Sequence, residues 1–231
     1  MELISYQPGG RESSQASGNI QRRPPRGPSV AAPGGAGYYN RSVISTIQDV
    51  MILTEEDFDR LPDDGIWEVA DGRAVLSPGP DIPHQLVSGA LFRVFDRQLD
   101  RRKTGVVIPA VNVFLPPPEG SIGEIQNRIP DLVVATHVPK KRYRPDHPPE
   151  LVIEILSTPR GNVERTEKLD DYARGGIREY WIVNPFDRSV EVYLLSGPEY
   201  RLKETVRHGS LRPDTFPGVV VPVDEIWAVL D

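Results

Sequence analysis

The chain has 231 residues, a net charge of −6 and no cysteine, so it suits one domain of ordinary size with a tail, and both a disulfide framework and a thiolate zinc site are excluded. A chain this acidic does not coat nucleic acid indiscriminately, although a local basic patch remains compatible with it. No stretch approaches the roughly 18 to 20 apolar residues of a membrane span and no secretory pattern opens the sequence; a soluble protein of the reducing cytoplasm, with no membrane partner, is expected.

Residues 1–45 are rich in Gly, Pro, Ser and Arg, as in Gln21-Arg22-Arg23-Pro24-Pro25-Arg26, without apolar periodicity. Such a segment buries too little surface to offset its ordering entropy, which predicts a disordered tail ahead of a domain over 46–231. Met51 stands just before the first patterned segment and is an alternative start. Thr54-Glu55-Glu56-Asp57 offers a helix N-cap with an acidic first turn, and Pro62 closes that short helix. Trp67 to Ala70 and Arg73 to Leu76 flank Asp71-Gly72, a pair suited to the positive φ angles of a type I′ turn, so a hairpin follows.

From His84 to about Arg102, Val87, Leu91, Val94, Phe95 and Leu99 mark a helical stripe, with Arg93, Arg97, Arg101 and Arg102 on the polar side. Strands are expected at 106–115, 131–135, 150–156, 179–184 and 189–195. The segment from Pro116 to about Arg128 reads as an exposed loop. A helix through Glu164, Lys168, Leu169 and Tyr172, ended by Gly175-Gly176, lies between the third and fourth strands. The order predicts an α/β or α+β sheet protein whose central strand is Leu151 to Leu156, hydrophobic enough for burial on both faces.

Within that frame Asp131 follows Pro130, Glu154 sits inside an apolar strand, and Lys168 comes fourteen residues later. A buried carboxylate needs a lysine, a metal ion or a proton close by. Hard oxygen donors on neighbouring strands suit Mg²⁺ or Mn²⁺, with water and a substrate phosphate completing the shell. Plainer readings stand beside this one: a turn-capping Asp131, a simple Glu154 to Lys168 ion pair, a surface Glu68 and a helix-capping His84. Lys140-Lys141-Arg142-Tyr143-Arg144 is the sharpest basic cluster, with a tyrosine available for base stacking, or else a solvated loop.

These residues resemble the PD-(D/E)xK nuclease superfamily, and their surroundings resemble its Uma-two family of restriction endonucleases over roughly residues 52–228. The likeness rests on Trp67-Glu68-Val69-Ala70-Asp71-Gly72, Ser77-Pro78 with His84, Pro130-Asp131-Leu132-Val133-Val134, Val152 to Ser157, Glu164 to Tyr172, and Gly176 to Pro185. It implies a restriction-endonuclease-like mixed sheet flanked by helices and a Mg²⁺- or Mn²⁺-dependent endonuclease acting on nucleic acid, DNA first. Asp131 and Glu154 then ligate the metal, Lys168 assists hydrolysis, and Glu68 is a further acidic ligand or water-positioning group. His84, Lys140, Lys141 and Arg142 are the expected substrate contacts, and cutting both strands of a duplex would call for a homodimer.

Three departures matter. Leu156 occupies the superfamily's usual lysine position, so Lys168 inherits that role from the following helix. Glu164 stands where an Asp is usual, and Arg73 where an acidic residue commonly follows the turn. The missing lysine keeps open a catalytically silent binding or assembly module, and a phosphoesterase acting on RNA or nucleotides is a third reading.

Overall fold

The computed structural model describes residues 47–231 except 53, 64, 78, 160 and 161, with only the backbone path of 47–50 and 162–166. The expected tail, residues 1–45, and the side chain of Glu164 lie outside that description. Strand β1 (Ile47–Met51) precedes helix α1 (Glu55–Asp59), hairpin strands β2 (Trp67–Ala70) and β3 (Arg73–Leu76), and helix α2 (Ile82–Gln98). Strands β4 (Val106–Pro109), β5 (Val113–Leu115), β6 (Gln126–Arg128), β7 (Leu132–Ala135) and β8 (Leu151–Ile155) lead to helix α3 (Asn162–Arg174). Strands β9 (Glu179–Asn184), β10 (Ser189–Ser196), β11 (Glu199–Val206), β12 (Ser210–Leu211) and β13 (Val221–Pro222) then run to helix α4 (Val223–Trp227).

The main sheet has the order β11-β10-β9-β8-β7-β4. Among the described strands of this sheet β8 and β9 alone pair in parallel, and α3 makes the crossover that a parallel pair requires. Side chains alternate across β7, β8 and β9. Leu132, Val134, Leu151, Ile153, Ile155, Trp181 and Val183 pack with α2 and α4, whereas Val133, Val152, Tyr180 and Ile182 pack with Tyr172 and Ile177. The continuous apolar run of β8 is buried throughout, as the sequence predicts. Glu154 shares the face of Val152 and so looks towards α3.

A second sheet of order β1-β3-β2-β6-β5 carries the hairpin, and Asp71 (φ 49°) and Gly72 (φ 70°) both adopt the left-handed conformation read from the sequence. Thr54 and Asp57 form a reciprocal capping box on α1. Four expectations fail in instructive ways. Strand β1 is unforeseen, and Met51 ends it rather than standing ahead of the first element. Helix α2 stops at Gln98, because Asp100 gathers the backbone N–H groups of Arg102, Lys103 and Thr104 and starts its own turn. The strand expected over 106–115 is two strands in different sheets, broken where Ala110 takes φ 47°. Finally, 126–128 is no loop: β6 is a fully buried strand paired with β2 and β5, and its Gln126 and Arg128 side chains point into a network described below.

Candidate functional site

Adjacent strands β7 and β8 pair antiparallel, with Leu132 opposite Ile153, which sets Asp131 at the mouth of β7 beside Glu154. Asp131 is anchored on two sides. Its Oδ2 accepts from the backbone N–H of Ile155 at 2.7 Å, and its Oδ1 lies 3.1 Å from His84 Nε2, with 23% of its side chain exposed. The capping role belongs to Asp81, whose side chain accepts from the N–H of His84, so the His84 ring is left to face Asp131. Burial opposes a charge on His84, but the hydrogen bond and charge of Asp131, helped by Asp81 and Glu154, outweigh it and raise the imidazole pKa.

Glu154 is buried with both oxygens engaged. Lys168 Nζ donates to Oε2 at 2.9 Å, and the Tyr172 hydroxyl donates to Oε1 at 2.5 Å. Lys168 and Tyr172 lie four residues apart on α3 and therefore on one face, which turns towards β8. Burial pushes the Glu154 carboxyl up to about 7; Lys168 opposes this, Asp131 and Glu68 add to it, and Tyr172 opposes it. The charges of Asp131, Glu154 and Glu68 thus sense one another, with burial the main cause of the Glu154 shift.

Glu68 is buried on β2. Its Oε2 accepts from Arg128 Nη1 at 3.0 Å, its Oε1 accepts from the N–H of Ile129 at 3.1 Å, and Lys168 Nζ is 3.8 Å from that same oxygen. Burial alone would raise the Glu68 pKa; the charges of Lys168 and Arg128, with the Ile129 N–H, hold it below the ordinary carboxylate value. Arg128 also donates to Asp171 Oδ2 through Nε at 2.7 Å, with Nη2 at 2.6 Å, and Gln126 Nε2 reaches the same oxygen at 2.8 Å. Arg174 pairs with the other oxygen of Asp171.

The four residues expected to be catalytic, Asp131, Glu154, Lys168 and Glu68, are therefore brought together with His84. The basic cluster behaves otherwise. The Arg142 side chain is only 3% exposed, its guanidinium lies 4.6 Å from the Phe114 ring centroid and 5.5 Å from that of Phe58, and its charge meets Asp59 and Glu55 of α1. Lys141 pairs with Asp59 at 2.6 Å and Arg144 with Glu55 at 2.5 Å, while Lys140 is exposed. Two carboxylates and two aromatic rings thus already engage the buried Arg142 guanidinium.

The sequence did not mark Arg128, Gln126 or Asp171, and it placed Tyr172 on the helix without a role at the site. Polar β6 looks like loop until its partners are known. A signal did exist on α3, where Lys168, Asp171, Tyr172 and Arg174 recur at helical spacing.

Asp131 and Glu154 fit a divalent cation by donor chemistry. They are hard oxygen donors brought together by the antiparallel pairing of β7 and β8, one of them reaching solvent. No cluster of three or more His, Cys, Asp or Glu side chains suited to a metal exists among the described residues. Mg²⁺ commonly takes only one or two carboxylates and keeps its waters.

The sequence profile of the Uma2 family, described as "Putative restriction endonuclease", matches residues 55–224, more than half of the chain. Among solved structures, one described as a "putative nuclease belonging to DUF820 from Anabaena variabilis ATCC 29413" superposes with a TM-score of 0.59 at 16% identity, covering 76% of this chain and 98% of that one. That likeness shows a shared fold. No curated protein matches, and no helix among the described residues is long and apolar enough to cross a membrane.

Proposed function

This chain belongs to the Uma2 family, and on that premise we propose that it is a metal-dependent endonuclease that hydrolyses phosphodiester bonds, with DNA as substrate and Mg²⁺ or Mn²⁺ as cofactor. The observation that carries the reading is the convergence of Asp131, Glu154 and Lys168 from β7, β8 and α3, with Glu154 and Lys168 2.9 Å apart. Asp131 and Glu154 would hold the cation. When bound, it supplies a neutralising charge for phosphoryl oxygens and an acidified water.

The remaining roles belong to the protein's own groups. Lys168 presents an ammonium beside the metal carboxylates, where it can stabilise charge developing on the phosphate. His84 keeps Asp131 turned into the site through its 3.1 Å contact, and its raised pKa lets it carry positive charge near an anionic substrate. Leu156, in the place of the superfamily's lysine, leaves Lys168 as the cation paired with Glu154.

Backbone contacts fall more naturally to α2 than to the loop at 140–144. Arg93 and Arg97 are exposed, stand one turn apart, and have no carboxylate partner among the described residues, whereas Lys141, Arg142 and Arg144 are matched by acids of α1. Polyanion binding through such a row loses strength steeply with salt.

A second reading, a silent module that keeps the fold, draws support from one observation: Lys168 and Tyr172 occupy both Glu154 oxygens. Nicking of supercoiled plasmid with Mg²⁺ or Mn²⁺ separates the two. Cleavage by the wild type that disappears in folded Asp131→Ala, Glu154→Ala and Lys168→Ala variants is expected. No cleavage of DNA or RNA, with no metal-induced thermal stabilisation, would favour the silent module.

A further inference from the structure

We propose that Tyr172 is a positioning residue that fixes the Glu154 carboxylate for the cation, acting through its hydroxyl and touching neither metal nor substrate itself. The inference rests on the nuclease reading above, since it takes Glu154 to be a metal ligand.

A tyrosine in a core needs a reason that a phenylalanine would not, because a buried hydroxyl is costly unless it is hydrogen-bonded. Tyr172 is fully buried, its ring lies 5.1 Å from that of Tyr180 within the cluster that includes Val152 and Ile182, and its hydroxyl donates to Glu154 Oε1 at 2.5 Å. The preceding residue, Asp171, is tied to Arg128 and Gln126 of β6, which fixes the turn of α3 from which Tyr172 projects. With ring and helix both held, the hydroxyl is a rigid donor aimed at one oxygen.

Lys168 does not set that direction alone. Its ammonium ends a flexible four-carbon stem and divides its charge among several neighbours, Glu154 at 2.9 Å and Glu68 at 3.8 Å among them. Asp131, the other carboxylate assigned to the cation, also has a rigid donor, the backbone N–H of Ile155 at 2.7 Å. An ionised carboxylate offers about four acceptor sites, so one donor at each Glu154 oxygen leaves room for a cation beside them. Without the Tyr172 hydroxyl, Glu154 is free to turn with Lys168, and metal binding must then order a carboxylate that the wild type already holds in place. A partner of this kind, in contact with a ligand and not with the metal, is typically worth about 10- to 100-fold in metal affinity.

The test is calorimetric titration with Mn²⁺ at pH 8, beside plasmid cleavage as a function of Mn²⁺ concentration, on the full-length wild type, Tyr172→Phe and Tyr200→Phe, each well below its melting temperature. Tyr200 stacks on the same Tyr180 ring at 5.7 Å but donates its hydroxyl to the Ile177 carbonyl and not to a carboxylate, so Tyr200→Phe reports the general loss of a tyrosine hydrogen bond. Tyr172→Phe should weaken Mn²⁺ binding by about 10- to 100-fold and raise the Mn²⁺ concentration for half-maximal cleavage by the same factor, while Tyr200→Phe stays within about twofold of wild type. Unchanged Mn²⁺ affinity in Tyr172→Phe would overturn the proposal, leaving the hydroxyl a satisfied core donor and nothing more. Tighter binding would overturn it too, by making the hydroxyl a competitor of the cation for Oε1, and equal losses in the two variants would overturn it as general loosening. A wild type that neither binds Mn²⁺ nor cleaves would overturn the nuclease reading and this proposal together, an outcome distinct from failure in Tyr172→Phe alone.

Discussion

The Tyr172 hydroxyl donates to Glu154 Oε1 at 2.5 Å across the contact between α3 and β8, inside a site where both groups are buried. Burial and the neighbouring Glu154 charge raise the Tyr172 pKa well above that of a free phenol, so the hydroxyl keeps its proton and remains a donor. Tyr172→Phe removes a hydrogen bond to a carboxylate while preserving the ring packing against Tyr180. The expected cost is about 2 kcal/mol in the metal-free protein at pH 8, read from the midpoint of urea unfolding. A midpoint unchanged from wild type would mean that the contact contributes nothing.

Glu154 gives a pH signature with a defined sign. Its folded pKa, about 7, lies above the ordinary value of 4.5, so the unfolded state ionises first. The resulting penalty on the fold is absent below pH 4.5, grows as pH rises towards 7, and is constant above; its size is about 3 kcal/mol to order of magnitude. Glu154→Gln removes this titration. Unfolding free energies measured in EDTA should therefore improve, relative to wild type, from pH 4.5 to pH 8, and parallel curves would sink the idea.

Arg142 is expected to matter for stability and not for substrate. Arg142→Ala strips a buried guanidinium from Phe58 and Phe114 and leaves Asp59 and Glu55 without their shared partner. The loss should be about 2 kcal/mol, below the roughly 3 to 5 kcal/mol of a fully buried pair, since both acids keep contact with water. Arg142→Lys should recover little, because an ammonium does not stack as a planar guanidinium does. DNA affinity measured well below the melting temperature should stay at the wild-type value; a large drop there would return Arg142 to the substrate-binding set.

Arg93 and Arg97 should act in the opposite way. Replacing both with Ala leaves the melting temperature nearly unchanged, since both are exposed. The slope of log affinity for duplex DNA against log salt should become shallower by about 1.8, or about 0.9 for each lost phosphate contact. An unaltered slope in a fluorescence anisotropy titration would place the DNA elsewhere.

The hairpin at Asp71-Gly72, the capped helix after Thr54 and the buried strand around Glu154 were legible in the sequence because each is specified locally, by turn stereochemistry, by capping, or by an unbroken apolar run. The same strand named its own anomaly, since an acid among Val152, Ile153 and Ile155 must be compensated by something. What compensates it was decided by the tertiary structure. Whether Lys168 meets Glu154, Glu68 or both depends on how α3 crosses from β8 to β9 and on a second sheet whose β6 brings in Arg128. Polar strands such as Gln126–Arg128 carry no hydrophobic period, so nothing local separates them from a loop; they become interior only because partners distant in the chain satisfy every charge. The fate of Lys141 and Arg142 was hidden for the same reason. A basic run shows its charge in the sequence, but only the approach of Glu55 and Asp59 on α1 determines that the charge is already taken.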